Sequence, residues 1–243
     1  MSKPRSFAEV YNDLDEELVN VFRVLRDPTT ADVLADRVRL TPWSRVEFNL
    51  SYEPVDDPVE RARRTIVRSF MSYGSMSRIK GRTGFRSAGW REHVPAPANF
   101  ANWPDQIAAF TGRLRAVTLE CMPALNLIKH QDAPDTLFYC DPPYPVETRS
   151  SIRYPSDQKR AYAHDLTSDE HRQLAATLRS VAGLVVLSGY RCDLYDRDLY
   201  PDWESVTTEA RTIQAKKRTE VLWLNPACAA ALELSRSQRL LAL

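Results

Sequence analysis

Apolar residues follow two different rhythms along the chain, and the change between them falls near residue 115. Phe7 to Tyr11 alternates and then enters Asn12-Asp13-Leu14-Asp15, the pattern of a strand ending in an acidic turn. From there apolar positions recur at helical spacing. Asp15 is placed to cap a first helix with Leu18, Val19, Phe22 and Leu25 inward, and Asp27-Pro28 stops it. A second helix is predicted near Thr30. A third opens at Ser44, with Ser44 and Glu47 spaced as a capping box and Trp43 placed to staple onto Phe48. A fourth begins at Asp57-Pro58, with Val59, Ala62, Ile66, Val67 and Phe70 on one side and Gly74 as its exit.

Residues 74–104 read as loop, rich in Gly, Ser, Pro and Asn. A helix near Pro104–Leu114 leads into a strand over Ala116–Glu120. Beyond it short apolar strands alternate with helices: Thr136–Cys140 as strand, Thr167–Arg179 as helix with a Thr167/Glu170 capping box, Gly183–Leu187 and Glu220–Leu224 as strands, and a helical tail. The run Gly-Leu-Val-Val-Leu does not alternate, as expected of a strand covered on both faces. The expected architecture is an α/β sheet interrupted by a mostly helical insertion over about 28–115.

Composition narrows this picture. With 43% apolar and 27% charged residues in 243, the chain has the makeup of a folded protein and not of a disordered one. No apolar run approaches the ~20 residues of a membrane helix, and the N-terminus lacks a secretory core. The four cysteines, at 121, 140, 192 and 228, are too scattered for a zinc knuckle or a redox pair, so no metal and a cytoplasmic location are expected.

The net charge of +1 is uninformative, but its distribution is not. Residues 1–60 carry thirteen acids and seven bases, whereas 61–91 carry nine bases and no acid, interleaved with Phe70, Tyr73, Phe85 and Trp90. Such a block is the footprint of a phosphate-backbone surface; the competing reading is a solvated helix face followed by a charged loop. Arg61, Arg64 and Arg68 share one helix face, and with Tyr73, Lys80, Arg82, Arg86 and Trp90 they are the expected nucleic-acid contacts.

The sharpest local signal is Phe138-Tyr139-Cys140-Asp141-Pro142-Pro143-Tyr144. A strand runs into Asp-Pro-Pro-Tyr at the carboxyl edge, where open α/β sheets bind ligands. Pro142 and Pro143 remove two N–H donors, so the turn offers acceptors only, from the Asp141 carboxylate and the Pro142 carbonyl. Tyr144 adds a flat aromatic face. Acceptors beside a stacking plate suit an amino group on a heterocycle; a plain strand-terminating turn with a packed tyrosine is the competing reading.

This motif, in this setting, resembles the Dam-like branch of the amino-methyltransferases that modify the N6 amine of adenine in DNA. VYNDLDEELVNVFRVLRDP, TPWSRVEF, PVDDPVERAR, DTLFYCDPPY, VETRSS, YAHDLTSDEHRQL, GLVVLSGY and KRTEVLWLN follow that branch in order, from about Phe7 to Asn225. The resemblance implies a Rossmann-like, S-adenosylmethionine-dependent sheet, with residues 1–27 and 116–243 as catalytic core and 28–115 as helical target-recognition insertion. It implies a flipped adenine in double-stranded DNA as substrate, stacked on Tyr144 and held by Asp141 and Pro142, with Pro143 completing the turn, and Asp13 on the ribose hydroxyls of S-adenosylmethionine. It also associates such chains with restriction-modification or prophage DNA. His164 resembles a position beyond the active-site loop, and Glu220 is read as support for strand pairing or as a wall of the target pocket.

The chain departs from that branch in two places. The family's Phe-x-Gly-x-Gly loop, which cradles the methionine end of the cofactor, has no counterpart, for none of the seven glycines form a G-x-G. Pro123 stands where the family places an acid near the cofactor's adenine. The expectation is therefore a truncated or decayed member, or one part of a split enzyme complemented by an N-terminal segment on another chain. The alternatives are a DNA-binding remnant or subunit without methyl transfer, and a relative acting on RNA or on protein glutamine.

Overall fold

In the computed structural model the described residues are 4–72, 84–87, 96–148, 165–211 and 217–241, and they fall into two compact units divided between Met122 and Pro123. The expected contacts Tyr73, Lys80, Arg82 and Trp90, and His164, lie outside the described residues.

The first unit is a helical layer built on a two-stranded parallel sheet. Strand β1 (Val10–Asn12) pairs with β2 (Thr118–Glu120) in parallel, Val10 opposite Thr118. Both are shorter than the sequence pattern suggested. Between them in the chain come α1 (Glu16–Arg26), α2 (Pro28–Arg39), α3 (Arg45–Leu50), α4 (Pro58–Met71), α5 (Ala96–Asn102) and α6 (Ile107–Leu114). The caps explain the boundaries. Asp15, Asp27, Ser44 and Asp57 each accept a backbone N–H of the first turn, and Pro28 and Pro58 take the first helical position, where no N–H is needed. Glu47 turns to Arg63 at 2.9 Å. Trp43 packs on Phe85 and Phe100, and its indole N–H donates to the Arg86 carbonyl. Leu34, Val38, Ala62, Val67, Met71 and Leu114 are the sealed centre of this core.

The second unit begins with α7 (Ala124–His130), which no apolar period announced, and holds a four-stranded sheet in the order β3-β4-β6-β5. Strands β3 (Leu137–Cys140) and β4 (Leu184–Gly189) are parallel, Leu137 opposite Leu184, and α8 (Ser168–Ser180) lies between them in sequence. The Thr167/Glu170 capping box that starts α8 is formed in both directions. β6 (Lys217–Leu224) runs antiparallel to β4 and to β5 (Glu204–Arg211), and α9 (Pro226–Leu241) follows. β5 was not anticipated, since its sequence Glu-Ser-Val-Thr-Thr-Glu-Ala-Arg is largely polar.

β4 sits centrally, with Val185 and Leu187 fully buried against Leu178, Trp223 and Tyr195. Gly183 leads into it because a side chain there would meet the Thr136 carbonyl at 2.8 Å. Asn225 pins that same end. Its Oδ1 accepts from the Val185 and Cys228 N–H groups, and its amide donates to the Gly183 carbonyl. The α/β class is as expected.

Candidate active site

Parallel strands place their carboxyl ends side by side, and β3 and β4 do so here. β3 ends at Cys140, and the chain turns through Asp141-Pro142-Pro143-Tyr144 into a short 3-10 turn at Val146–Thr148. β4 ends at Ser188-Gly189 and leads into Tyr190. Asp141 is exposed, as a carboxylate offered to a ligand must be, while Tyr144 is half-buried. The Tyr144 hydroxyl lies 3.3 Å from the buried Ser188 hydroxyl, and its ring meets Tyr190 edge-to-face at 4.8 Å and 76°. Burial drives the Tyr144 phenol well above its ordinary range; the Ser188 hydrogen bond opposes this, and the charge and hydrogen bond of Asp141, with the charge of Glu220, add to it. The residues of the Asp-Pro-Pro-Tyr turn therefore share one place with Ser188, Tyr190 and Glu220.

Ser188 and Tyr190 were not singled out from sequence. The available signal was the polar exit of an otherwise apolar strand, Leu-Ser-Gly-Tyr, parallel to the strand that carries the motif. Glu220 reaches the site through strand register, since Ser188 faces Leu222 and Glu220 lies two positions along β6 on the same side. Burial pushes both Cys140 and Cys192 up to about 12, which disfavours their thiolates.

Asp13 belongs to the first unit, at the carboxyl end of β1. Its backbone N–H points to the Glu120 carbonyl, one carboxylate oxygen accepts from the Asp15 N–H at 2.9 Å, and the other faces the Tyr11 hydroxyl at 3.3 Å. Beside it, the Asn12 side chain and the Met122 backbone exchange two hydrogen bonds of 3.0 Å, which fix the loop after β2. Pro123 opens α7 with no side-chain cap.

The expected DNA-contact arginines of α4 are engaged within the first unit. Arg61 binds Glu17 at 2.6 Å, Arg64 binds Glu60 at 2.9 Å and the Glu53 carbonyl at 2.6 Å, and Arg68 donates to the Ser51 carbonyl and to Thr65, with Glu17 at 3.6 Å. Arg63, on the apolar side, is buried between Glu47 and Glu60. These guanidiniums knit α4 to α1 and α3. Arg86, half-buried, donates its backbone N–H to the Met71 carbonyl at 2.7 Å. Among the described residues no group of three or more His, Cys, Asp or Glu side chains is placed to hold a metal, and no helix is long and apolar enough to cross a membrane.

The sequence model of the D12 class N6 adenine-specific DNA methyltransferases matches residues 5–211, and the chain belongs to that family. No curated protein shows a significant match to it.

Proposed function

We propose that this member of the D12 class methylates the N6 amine of adenines at a specific site in duplex DNA, working on a base flipped out of the helix. The family is one of DNA adenine methyltransferases, which draw their methyl group from S-adenosylmethionine. The single observation that carries the reading is the Asp141-Pro142-Pro143-Tyr144 turn, standing at the carboxyl end of β3 with an exposed carboxylate and a tyrosine ring steadied by Ser188 and Tyr190.

Adenine in a duplex hides its amine, so the base has to leave the stack. Tyr144 would receive its ring, replacing part of the lost stacking. The Asp141 carboxylate and the Pro142 carbonyl would accept the two amine hydrogens, orient the nitrogen lone pair and stabilise positive charge growing on the nitrogen. Pro143 stiffens the turn so that these acceptors are preorganised. S-adenosylmethionine, when bound, supplies an electrophilic methyl group. Of the residues described, Asp13 fits its ribose hydroxyls, while the glycine cradle for its methionine end has no counterpart and Pro123 offers no side-chain acceptor; the fit is partial.

We further propose that the methyltransferase sheet is completed by a glycine-bearing strand from outside residues 1–243. Among the described residues β3 pairs with β4 alone, and its Leu137 and Tyr139 are 54% and 64% exposed, unusual for a parallel strand. DNA contact falls to the basic segment around Arg86 and to Tyr73, Lys80, Arg82 and Trp90. The test is Asp141→Ala: in an active assembly it should abolish methyl transfer to adenine and leave DNA affinity largely intact. Retained methylation at a comparable rate would overturn the assignment, and retained DNA binding with no methylation by any form would favour a DNA-binding subunit.

A further inference from the structure

We infer that Trp43 is a positioning residue for DNA: its indole N–H holds the backbone at Arg86 and so sets the direction in which that guanidinium meets a phosphate. The inference rests on the proposed contact between Arg86 and DNA.

After α4 the chain returns at Phe85, which forms an isolated antiparallel bridge with Ser72. A single bridge offers few ladder bonds, so the residues beside it need other hydrogen-bond partners. Arg86 has one for each of its backbone groups. Its N–H donates to the Met71 carbonyl at 2.7 Å, and its carbonyl accepts from the Trp43 indole at 3.0 Å. Met71 closes α4, and Trp43 stands immediately before the Ser44 cap of α3. Two separate elements therefore grip the two peptide groups that flank one Cα, which restrains both of its soft dihedrals.

The indole is itself held from the core. Its ring centroid lies 6.2 Å from that of Phe85 and 5.9 Å from that of Phe100, and Phe85 is also met by Phe48 at 5.6 Å. Phe48 and Phe100 are buried members of the first unit's core. Packing alone would be served by a plain aromatic or aliphatic side chain. Tryptophan adds a donor at the rim of the ring, and here that donor is spent on the Arg86 carbonyl. A long side chain on a restrained backbone has less freedom to lose when it closes on a phosphate. Without the indole N–H that carbonyl turns to water, and the segment regains the freedom that Trp43 removes.

Mixed-sequence duplex DNA is titrated at several salt concentrations into the full chain and into Trp43→Phe, Trp43→Leu, Arg86→Gln and the double variant Trp43→Phe with Arg86→Gln. Both Trp43 variants lack the donor but differ in packing, so urea unfolding should separate them while DNA binding should not. Each should weaken affinity about tenfold and flatten the salt slope by about one unit, as expected when one phosphate contact is lost. Adding Arg86→Gln should cost little more, because both changes act on the same contact. In an active assembly KM for DNA should rise with kcat nearly held.

Parent-like affinity and slope in the Trp43 variants, beside a flattened slope in Arg86→Gln, would overturn the inference and leave the DNA contact standing. Additive losses in the double variant would also overturn it, by showing that Trp43 acts apart from Arg86. If Arg86→Gln binds DNA as the parent does, the Arg86 contact fails and the inference with it. A slowly exchanging Trp43 indole proton, assigned through Trp43→Phe, would then mark the hydrogen bond as purely structural.

Discussion

Glu17 grips Arg61 through a single carboxylate oxygen, which accepts from Nη2 at 2.6 Å and from Nε at 3.2 Å, while its other oxygen faces the Thr65 hydroxyl at 3.2 Å. Glu17 stands in the first turn of α1, two residues beyond the Asp15 cap and four beyond Asp13. The turn that presents Asp13 is therefore tied to α4 by an ion pair spanning 44 residues of chain.

That employment gives the arginine face a structural role that can be tested against a DNA-binding one. Replacing Arg61, Arg64 and Arg68 together by glutamine should lower stability, by about 1–2 kcal/mol for partly exposed pairs. It should leave the salt dependence of DNA binding nearly unchanged. Arg86→Gln, by contrast, should flatten the slope of log affinity against log salt by about one unit, as expected for one lost phosphate contact. Urea unfolding and binding isotherms at several salt concentrations separate the two; a flatter slope in the triple variant would return those arginines to the DNA.

Arg63 is the more consequential side chain. It is 8% exposed and bonded to Glu60 on two nitrogens and to Glu47 and Thr41 on the third. Truncation to alanine removes the cation between Glu47 and Glu60, leaving Arg64 on Glu60, and breaking such a buried pair costs about 3–5 kcal/mol. The Arg63 hydrogen bond holds the Glu60 carboxyl below its ordinary range, against a desolvation that acts the other way. A depressed carboxyl stabilises the fold above its unfolded pKa, about 4.3, and that contribution disappears as pH falls through the lower folded value. Chemical denaturation between pH 6 and pH 3 should show this acid loss, and Glu60→Gln should flatten it.

The charge pattern shows where sequence reading stops. Nine bases without an acid looked like an unneutralised surface because partners were sought nearby. For Arg61, Arg63, Arg64 and Arg68 the structure supplies them from the acid-rich first sixty residues, through Glu17, Glu47 and Glu60 on other helices or one turn back along α4. Local signals fared better: Asp15, Asp57 and Thr167 all cap where capping chemistry placed them, because a cap is decided within four residues. The Asp141–Tyr144 turn was legible for the same reason. Ser188 and Glu220 join it through the pairing of β3, β4 and β6, a relation between residues 30 to 80 positions apart that no local pattern encodes.

Asn225 illustrates the same limit, and its loss should be costly. Its side chain satisfies two backbone N–H groups and one carbonyl, at 2.9 to 3.0 Å, in a buried position. Asn225→Ala strands those groups, each costing about 1–3 kcal/mol where water cannot reach. A loss of at least 2 kcal/mol in urea unfolding is expected, and Asn225→Asp should not restore it, since the donor to Gly183 is missing. A variant as stable as the parent would mean that the strand end is held by other contacts.

Stacking and positioning can be separated at Tyr144. Tyr144→Ala removes the ring and should weaken retention of an extruded base by about 1–3 kcal/mol, whereas Tyr144→Phe keeps the ring and should bind nearly as well as the parent. Fluorescence of 2-aminopurine in duplex DNA reports the extruded state. Equal losses in both variants would shift the role from the ring to the hydroxyl.

The last expectation concerns the cofactor. Residues 1–243 by themselves should bind S-adenosylmethionine very weakly. Its amino-acid end calls for a glycine loop whose backbone approaches closely, and no two glycines of this chain form a G-x-G. The Asp13 carboxylate already serves the Asp15 N–H and faces the Tyr11 hydroxyl, and Pro123 brings no side-chain acceptor to the adenine end. The outer edge of β3, with Leu137 and Tyr139 exposed, is where an added parallel strand would bury apolar surface and extend the sheet beside Asp141. Supplying a glycine-bearing strand segment, fused or as a separate peptide, should raise cofactor affinity and adenine methylation together. Tyr139→Lys on the exposed face of β3 should weaken that complementation without unfolding the unit. Micromolar affinity of residues 1–243 alone in calorimetry would overturn this expectation and assign the cradle to another segment of the chain.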